Sequence, residues 1–368
     1  MRRTVHGGDV YGAARELGRA PDRLLDFSAS INPLGPAPAV VRMLEGAGTL
    51  LRHYPDPQCW DLRQALAAYW RRPPHAFVIG NGSTELIHLL PAALHIRHLL
   101  VVGPTFSEYA AAMARVGGRI TMVMAAQTDG YRPCPELVLD AVQQSGRVGT
   151  RSHAPDAVLL CNPNSPTGVA WEARTVRRVA REAARLGLWC VIDETFADYC
   201  ESVSILGKVL PPRTIVLRSF TKFYALPGLR VGYAVARAAV AKQLGAQQPP
   251  WSVNMLAQRA ATVSLQDDRY RRRSLQFMDR ERTRLERGLE RLPGMRVFPT
   301  KANFILLELP LGHKAARVVS MLRRQGLLLR DCSQVPGLND RSLRVAVRTK
   351  HENDRLLKAL AFVARATA

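Results

Sequence analysis

Lysine is scarce in this chain: only seven of its 52 cationic residues are lysine, and the rest are arginine. No apolar run approaches the roughly 20 residues that a membrane-spanning helix needs. The opening Met1-Arg-Arg-Thr-Val-His-Gly-Gly8 lacks the apolar stretch of a secretory signal. A soluble, cytoplasmic protein with no membrane association is therefore expected. The six cysteines, at 59, 134, 161, 190, 200 and 332, form no CxxC pair. That spacing excludes a zinc ribbon or a disulfide framework, and no metal is expected. Cys161, Cys190 and Cys200 lie in or beside apolar runs, where a free thiol behaves as a small hydrophobe.

Acidic residues are also few, 30 against 52 cationic ones, which leaves a formal charge of +22. Such a balance invites a nucleic-acid reading, but the arginines are spread over the whole length and no RNP or zinc-finger signature accompanies them. The densest run, Arg269 to Arg291, is interleaved with Asp279, Glu281, Glu286 and Glu290 and carries Leu275, Met278, Leu285, Leu289 and Leu292 at helical spacings. It reads as a long helix with one solvated face. Nucleic acid is not an expected partner; attraction of small anions is the milder consequence of the charge.

What is present is an alternation. Helical patterns over 60–71, from about 84, over 106–116 and over 172–186 alternate with the apolar runs Phe77–Ile79, Leu99–Val102, Ile120–Met124, Ala157–Cys161, Trp189–Ile192 and Thr214–Arg218. Strands alternating with helices of this length indicate an α/β fold around a mostly parallel sheet. Past residue 250 the rhythm changes to a long helical region over about 254–291, then Arg296–Phe298, Phe304–Glu308, a helix near 314–324 and Leu343–Val347. The expected organisation is a large domain over 51–260, with an N-terminal arm (1–50) and a small α+β domain (261–368).

Four clusters fall at the ends of expected strands, where open α/β sheets bind their ligands. Gly80-Asn-Gly-Ser-Thr-Glu85 turns into a helix, and the exposed N–H groups of Gly82, Ser83 and Thr84 with two hydroxyls would suit a phosphate; alone, it is equally a plain turn. Asp193 ends an apolar strand and needs a cation or a ring N–H as partner, which any of many arginines could supply. Asn162-Pro-Asn-Ser-Pro-Thr-Gly168 is a stiff loop able to fix Asn162 and Ser165 against a planar ligand, or simply a tight turn. Finally, Ser219-Phe-Thr-Lys-Phe-Tyr-Ala-Leu-Pro-Gly-Leu-Arg230 sets Lys222 among the hydroxyls of Ser219 and Thr221 and the guanidinium of Arg230. A lysine near other cations has a lowered pKa and can form a Schiff base. An arginine can clamp a phosphate bidentately. Together these supply what pyridoxal 5'-phosphate requires: an amine for its aldehyde, a carboxylate for its ring nitrogen and a cup for its phosphate. Phe106 offers a ring face for stacking.

With these residues in hand, the chain resembles the fold-type I pyridoxal-phosphate family over nearly its whole length, in the histidinol-phosphate aminotransferase-like branch that includes the threonine-phosphate decarboxylases of cobalamin biosynthesis. The resemblance is carried by His6–Gly8, Asp26–Pro36, Tyr54–Pro57, Gly82–Leu86, Pro104–Phe106, Asn162–Gly168, Asp193–Glu194, Ser219–Gly232, Pro249–Asn254, Arg330–Ser333 and Arg344–Thr349. It implies a transferase-type α/β fold with a mixed, mostly parallel sheet, Lys222 as the Schiff-base lysine and Asp193 as partner of the ring nitrogen. It further implies a homodimer in which Tyr54 reaches the neighbouring copy's cofactor phosphate. Arg330 and Arg344 match positions that hold anionic groups of a small phosphorylated amino acid, with His6 and Asn32 close by. Arg348 is an extra cation near Arg344 that suits a dianion, or an exposed arginine in an arginine-rich chain. Two departures stand out: Phe196 replaces a tyrosine, and Ser165 an asparagine, found in many relatives. Asn162 or Tyr199 are then candidates for the ring hydroxyl.

The activity the resemblance implies is loss of CO2 from L-threonine O-3-phosphate to give (R)-1-amino-2-propanol O-2-phosphate. The alternatives are a histidinol-phosphate-type aminotransferase using 2-oxoglutarate, and a decarboxylase of L-serine O-phosphate.

Overall fold

The computed structural model describes residues 6–147 and 154–365. Seven strands, β1 (Phe77–Gly80), β2 (His98–Gly103), β3 (Arg119–Met124), β4 (Ala157–Cys161), β5 (Trp189–Asp193), β6 (Thr214–Ser219) and β7 (Gly232–Val235), form one sheet in the order β1–β7–β6–β5–β4–β2–β3. Strands β2 to β6 pair in parallel, while β7 runs antiparallel to both β6 and β1. Two reversals leave β1 pointing the same way as β4, β5 and β6. The register then sets Gly80 opposite Gly232, Gly232 opposite Ser219, and Cys161 opposite Asp193. The glycine-rich turn, the proline-rich loop, Asp193 and the Lys222 loop therefore emerge along a single edge.

The strands read as unbroken apolar runs because both faces are covered. Val78, Val101, Leu159, Val191 and Leu217 face a core shared with the helices Gly82–Ala93, Glu108–Arg115 and Ala238–Gly245. Ile79, Leu100, Leu160, Ile192 and Val216 face a larger core built with helices that include Trp60–Trp70 and Ala173–Arg185. In the latter helix Val176, Val179, Ala180 and Ala183 are buried, a one-sided stripe at three- and four-residue steps.

A second sheet is antiparallel throughout, in the order Arg330–Asp331, Ser342–Ala346, Phe304–Glu308, Arg296–Val297. The two ends of the chain meet beside it. Leu25–Asp26 pairs in parallel with Leu327–Leu328, and Ala346 N–H donates to the Phe27 carbonyl at 2.8 Å.

The helical region expected over about 254–291 divides into Met255–Leu265 and Asp268–Glu290. The cause is capping: the Asp267 carboxylate accepts from Tyr270 N–H, offering an oxygen to an N–H that has no intrahelical partner.

Gly232 fixes how closely β7 approaches the glycine-rich turn. A Cβ there would lie 2.6 Å from Ser83 N, 2.8 Å from the Arg218 carbonyl and 3.0 Å from Gly82 C, all backbone atoms that cannot swing aside. Gly232→Ala is expected to cost about 1–3 kcal/mol, in the range of other overpacked sites. A urea melt reads this; an unchanged midpoint would show that the edge yields freely.

Candidate active site

Lys222 sits in the loop that joins β6 to β7, and that loop's backbone is pinned by Asn32 and Tyr199. Its carbonyl accepts from Asn32 N–H at 3.0 Å and from the Tyr199 hydroxyl at 3.2 Å, and the next carbonyl, of Phe223, accepts from Asn32 Nδ2 at 2.9 Å. The half-buried side chain runs toward Phe196, with Nζ 5.9 Å from the ring centroid. Burial, followed by the positive charges of Arg344 and Arg230, lowers the ammonium from its ordinary value of 10.5 to about 8, against the opposing pull of Asp193 and Asp26.

Asp193 is buried at the end of β5. Its Oδ2 accepts from the Tyr109 hydroxyl and its Oδ1 from Thr195 N–H, both at 2.9 Å. Burial raises its pKa, and the bonds from Thr195 and Tyr109 only partly offset that. A carboxylate so placed gains from a ring N–H in front of it.

The first turn of the helix Gly82–Ala93 faces the same edge. Gly82 has φ +75°, and a Cβ on it would stand 2.6 Å from the Arg230 guanidinium. Around this turn lie Ser83, whose hydroxyl is 3.5 Å from that of Thr195, and the paired hydroxyls of Ser219 and Thr221 at 2.8 Å. Thr84 follows in the same turn. The helix N–H groups and the hydroxyls make a cup with Arg230 at its rim, suited to a phosphate.

The proline-rich loop divides its polar groups. Asn162 is spent on bracing: Nδ2 donates to the carbonyls of Trp171 and Val203, and Oδ1 accepts from Trp171 N–H. Asn164 ties the loop to Pro104 and Thr105. The Ser165 hydroxyl accepts from Arg344 at 3.0 Å. Arg344 also donates to the Ser28 carbonyl at 2.9 Å, and burial with the neighbouring charge of Arg330 brings it down to about 10. Arg330 stands directly across the strand pair from Arg344. Two guanidiniums side by side make a seat for an anion.

The remaining expected positions take varied environments. Asn32 is buried, its amide within reach of Phe223, Tyr270 and Ser274, so it braces the lysine loop. Arg348 places Nε and Nη2 on Glu352 and Nη1 on the Asp26 carbonyl. Phe106 lies edge-on to Tyr109, and the His6 ring is tilted against it at 5.7 Å. Tyr199 shares its hydroxyl between the Lys222 carbonyl and Asn303. Tyr54 is 77% exposed and stacks on Trp251, an aromatic surface left open to solvent.

A model of the aminotransferase class I and II family matches residues 22–360. The chain belongs to that family. It is 37% identical over 360 residues to the threonine-phosphate decarboxylase of Salmonella typhimurium, covering 97% of this chain and 96% of that protein. Its fold is similar to the histidinol-phosphate aminotransferase of Clostridium acetobutylicum, with a TM-score of 0.84 at 27% identity over 93% of this chain and all of that one. It is similar also to the L-threonine-O-3-phosphate decarboxylase of Porphyromonas gingivalis, with a TM-score of 0.77 at 25% identity and the same coverage. Enzymes of this class use pyridoxal 5'-phosphate. The residues fit that cofactor: a cup whose glycine, at φ +75°, would set a Cβ 2.6 Å from the Arg230 guanidinium, a buried carboxylate with no cation bonded to it among the described residues, and an amine whose pKa is lowered toward neutrality.

Tyr109 and Thr195 escaped the sequence reading. Thr195 follows Asp193 by two residues, the spacing at which an aspartate accepts from a backbone N–H, and that signal was available. Tyr109 offered only its place three residues after Phe106.

The lowered amine has a checkable sign. Without cofactor, the folded chain binds fewer protons at Lys222 than the unfolded chain between pH about 8 and 10.5, so stability gains with pH across that window. The stability lead of Lys222→Met over the parent apoprotein is expected to be level below pH about 8 and to shrink up to 10.5, followed by urea midpoints. A lead independent of pH would place the amine at its ordinary value.

Proposed function

We propose that this protein is a carboxy-lyase that removes CO2 from L-threonine O-3-phosphate, leaving (R)-1-amino-2-propanol O-2-phosphate, a step of cobalamin biosynthesis. The observation that carries the proposal is the cross-strand pair Arg330 and Arg344, of which Arg344 lies close enough to Lys222 to lower its pKa and is tied to Ser165 and the Ser28 carbonyl. The extensive identity to a decarboxylase supports it.

When bound, pyridoxal phosphate supplies an electron sink for the bond that breaks at the substrate's Cα. The chain's own residues decide the rest. Gly82, Ser83, Thr84, Ser219, Thr221 and Arg230 would hold the cofactor phosphate, and Asp193 would meet the ring nitrogen, its carboxylate kept aimed by Tyr109 and Thr195. Phe106 would offer its face to the ring. Arg330 and Arg344, with His6, anchor the substrate phosphate. Anchoring the phosphate instead of the carboxylate leaves the carboxylate free to depart, whereas an aminotransferase must retain it. Lys222 Nζ, near neutrality, is the group able to hold a proton and return it to Cα.

The working form is a cytoplasmic homodimer in which Tyr54 serves the neighbouring copy's cofactor phosphate. Its exposure against Trp251 supports a face that another copy covers.

Purified, cofactor-loaded protein given threonine phosphate and no 2-oxo acid is expected to release CO2 and form aminopropanol phosphate. Lys222→Ala should abolish turnover. Arg330→Ala should weaken substrate binding by about 10- to 100-fold, the scale of a lost charged hydrogen bond. Activity seen only with histidinol phosphate plus 2-oxoglutarate would replace the lyase with a transferase, and preference for serine phosphate would move the substrate by one methyl.

A further inference from the structure

Glu108 opens the helix Glu108–Arg115, and its carboxylate is held from two sides. His6 Nε2 lies 2.8 Å from Oε1, and His88 Nε2 lies 2.9 Å from Oε2. The three residues come from segments far apart in sequence. His88 belongs to the helix Gly82–Ala93, whose first turn forms the phosphate cup, and His6 to the N-terminal arm. Among the described residues no group of three or more His, Cys, Asp or Glu has a metal-holding arrangement, so this cluster is a hydrogen-bonded bridge.

Protonation follows from the geometry. Burial alone would raise the Glu108 carboxyl, but the bonds from His88 and His6 outweigh it and leave the pKa lowered. The carboxylate is then acceptor-only, and both imidazoles present Nε2–H to it. His88 Nδ1 is buried with no hydrogen-bond partner among the described residues. For His6, whose side chain is 45% exposed, commitment of Nε2 leaves the Nδ1 edge to meet a ligand.

The arm between these points is clamped to the substrate side of the site. A Cβ on Gly7 would fall 2.1 Å from the Ser28 carbonyl oxygen, and Gly8 N–H donates to the Ser28 hydroxyl at 2.8 Å. That same carbonyl accepts from Arg344. The arm thus spans from the Arg344 seat to the helix behind Phe106, with His6 between them.

We propose that Glu108, braced by His88, is a positioning residue that latches the N-terminal arm across the site and orients His6 toward the substrate phosphate. The proposal rests on the reading of His6 as a phosphate ligand. Glu108 itself touches neither cofactor nor substrate; it acts through His6.

The test uses the full, cofactor-loaded chain with Glu108→Ala, the isosteric Glu108→Gln, His6→Ala and the double variant His6→Ala/Glu108→Ala. Glu108→Ala is expected to raise KM for threonine phosphate about 10-fold or more, the scale of a lost charged hydrogen bond, with kcat held within about 3-fold. Glu108→Gln, which keeps one acceptor oxygen, should fall between parent and Glu108→Ala. The double variant should be no worse than His6→Ala, because both changes remove one unit. Independently of turnover, hydrogen exchange over residues 6–9 should quicken in Glu108→Ala, and inorganic phosphate should slow it in the parent but not in the variant. An unchanged KM with unchanged arm exchange, additive losses in the double variant, or no effect of phosphate on the parent arm would each overturn the proposal. If the parent does not act on threonine phosphate, the functional reading falls, while the exchange data still decide whether Glu108 latches an anion-sensing arm.

Discussion

Positive charge gathered around a half-buried amine is the constraint on which the site depends. Lys222, Arg230 and Arg344 lie close enough for each arginine to depress the lysine, while Asp193 and Asp26 pull the other way. Such an excess is unfavourable in the empty protein and is relieved by anions. Two anions would answer it here: one phosphate at the cup of Gly82 and Ser83, another at the Arg330–Arg344 pair. The floor beneath carries no such excess. Arg218 is buried on β6 between Glu194 and Asp198, each 3.8 Å away, with its guanidinium over Trp70. The unbalanced charge is thereby confined to the edge that ligands approach.

Much of this was legible in the chain because it depends on short-range pattern. Apolar runs gave six of the seven strands of the main sheet but not the short antiparallel Gly232–Val235, and chemistry-bearing residues at their ends gave the edge: Lys222, Asp193, the turn at Gly82 and the loop at 162–168. What was illegible depends on contacts between distant segments. Nothing in the spacing of His6, His88 and Glu108 foretells that they share one carboxylate. The amide of Asn32 could as well meet a ligand as brace Phe223, Tyr270 and Ser274, and only packing decides. The same holds for Asn162, which is turned toward Trp171. Asp267 interrupted a helical region whose apolar spacing continues on both sides, since a cap is a local competitor that periodicity does not register.

The two departures from the many relatives described above also acquire a physical setting. Phe196 packs edge-on against Phe304, whose ring also carries Arg344 at 4.9 Å. Ser165 is short enough to receive Arg344 directly. Both changes bear on the same guanidinium, which connects the proline-rich loop of the large sheet to the antiparallel sheet. On the proposed reading of Arg344, substrate recognition and the junction between the sheets share one side chain.

The meeting of the chain's two ends has a consequence in time. The residues of the cofactor cup and Lys222 have all been made once β7 is complete at Val235. The strand Leu25–Asp26, however, finds its partner only when Leu327–Leu328 has been synthesised, and Phe27 finds Ala346 later still. On the ribosome, a nascent chain thus carries the groups proposed to grip a phosphorylated aldehyde well before it can build the seat proposed to select what reacts with it.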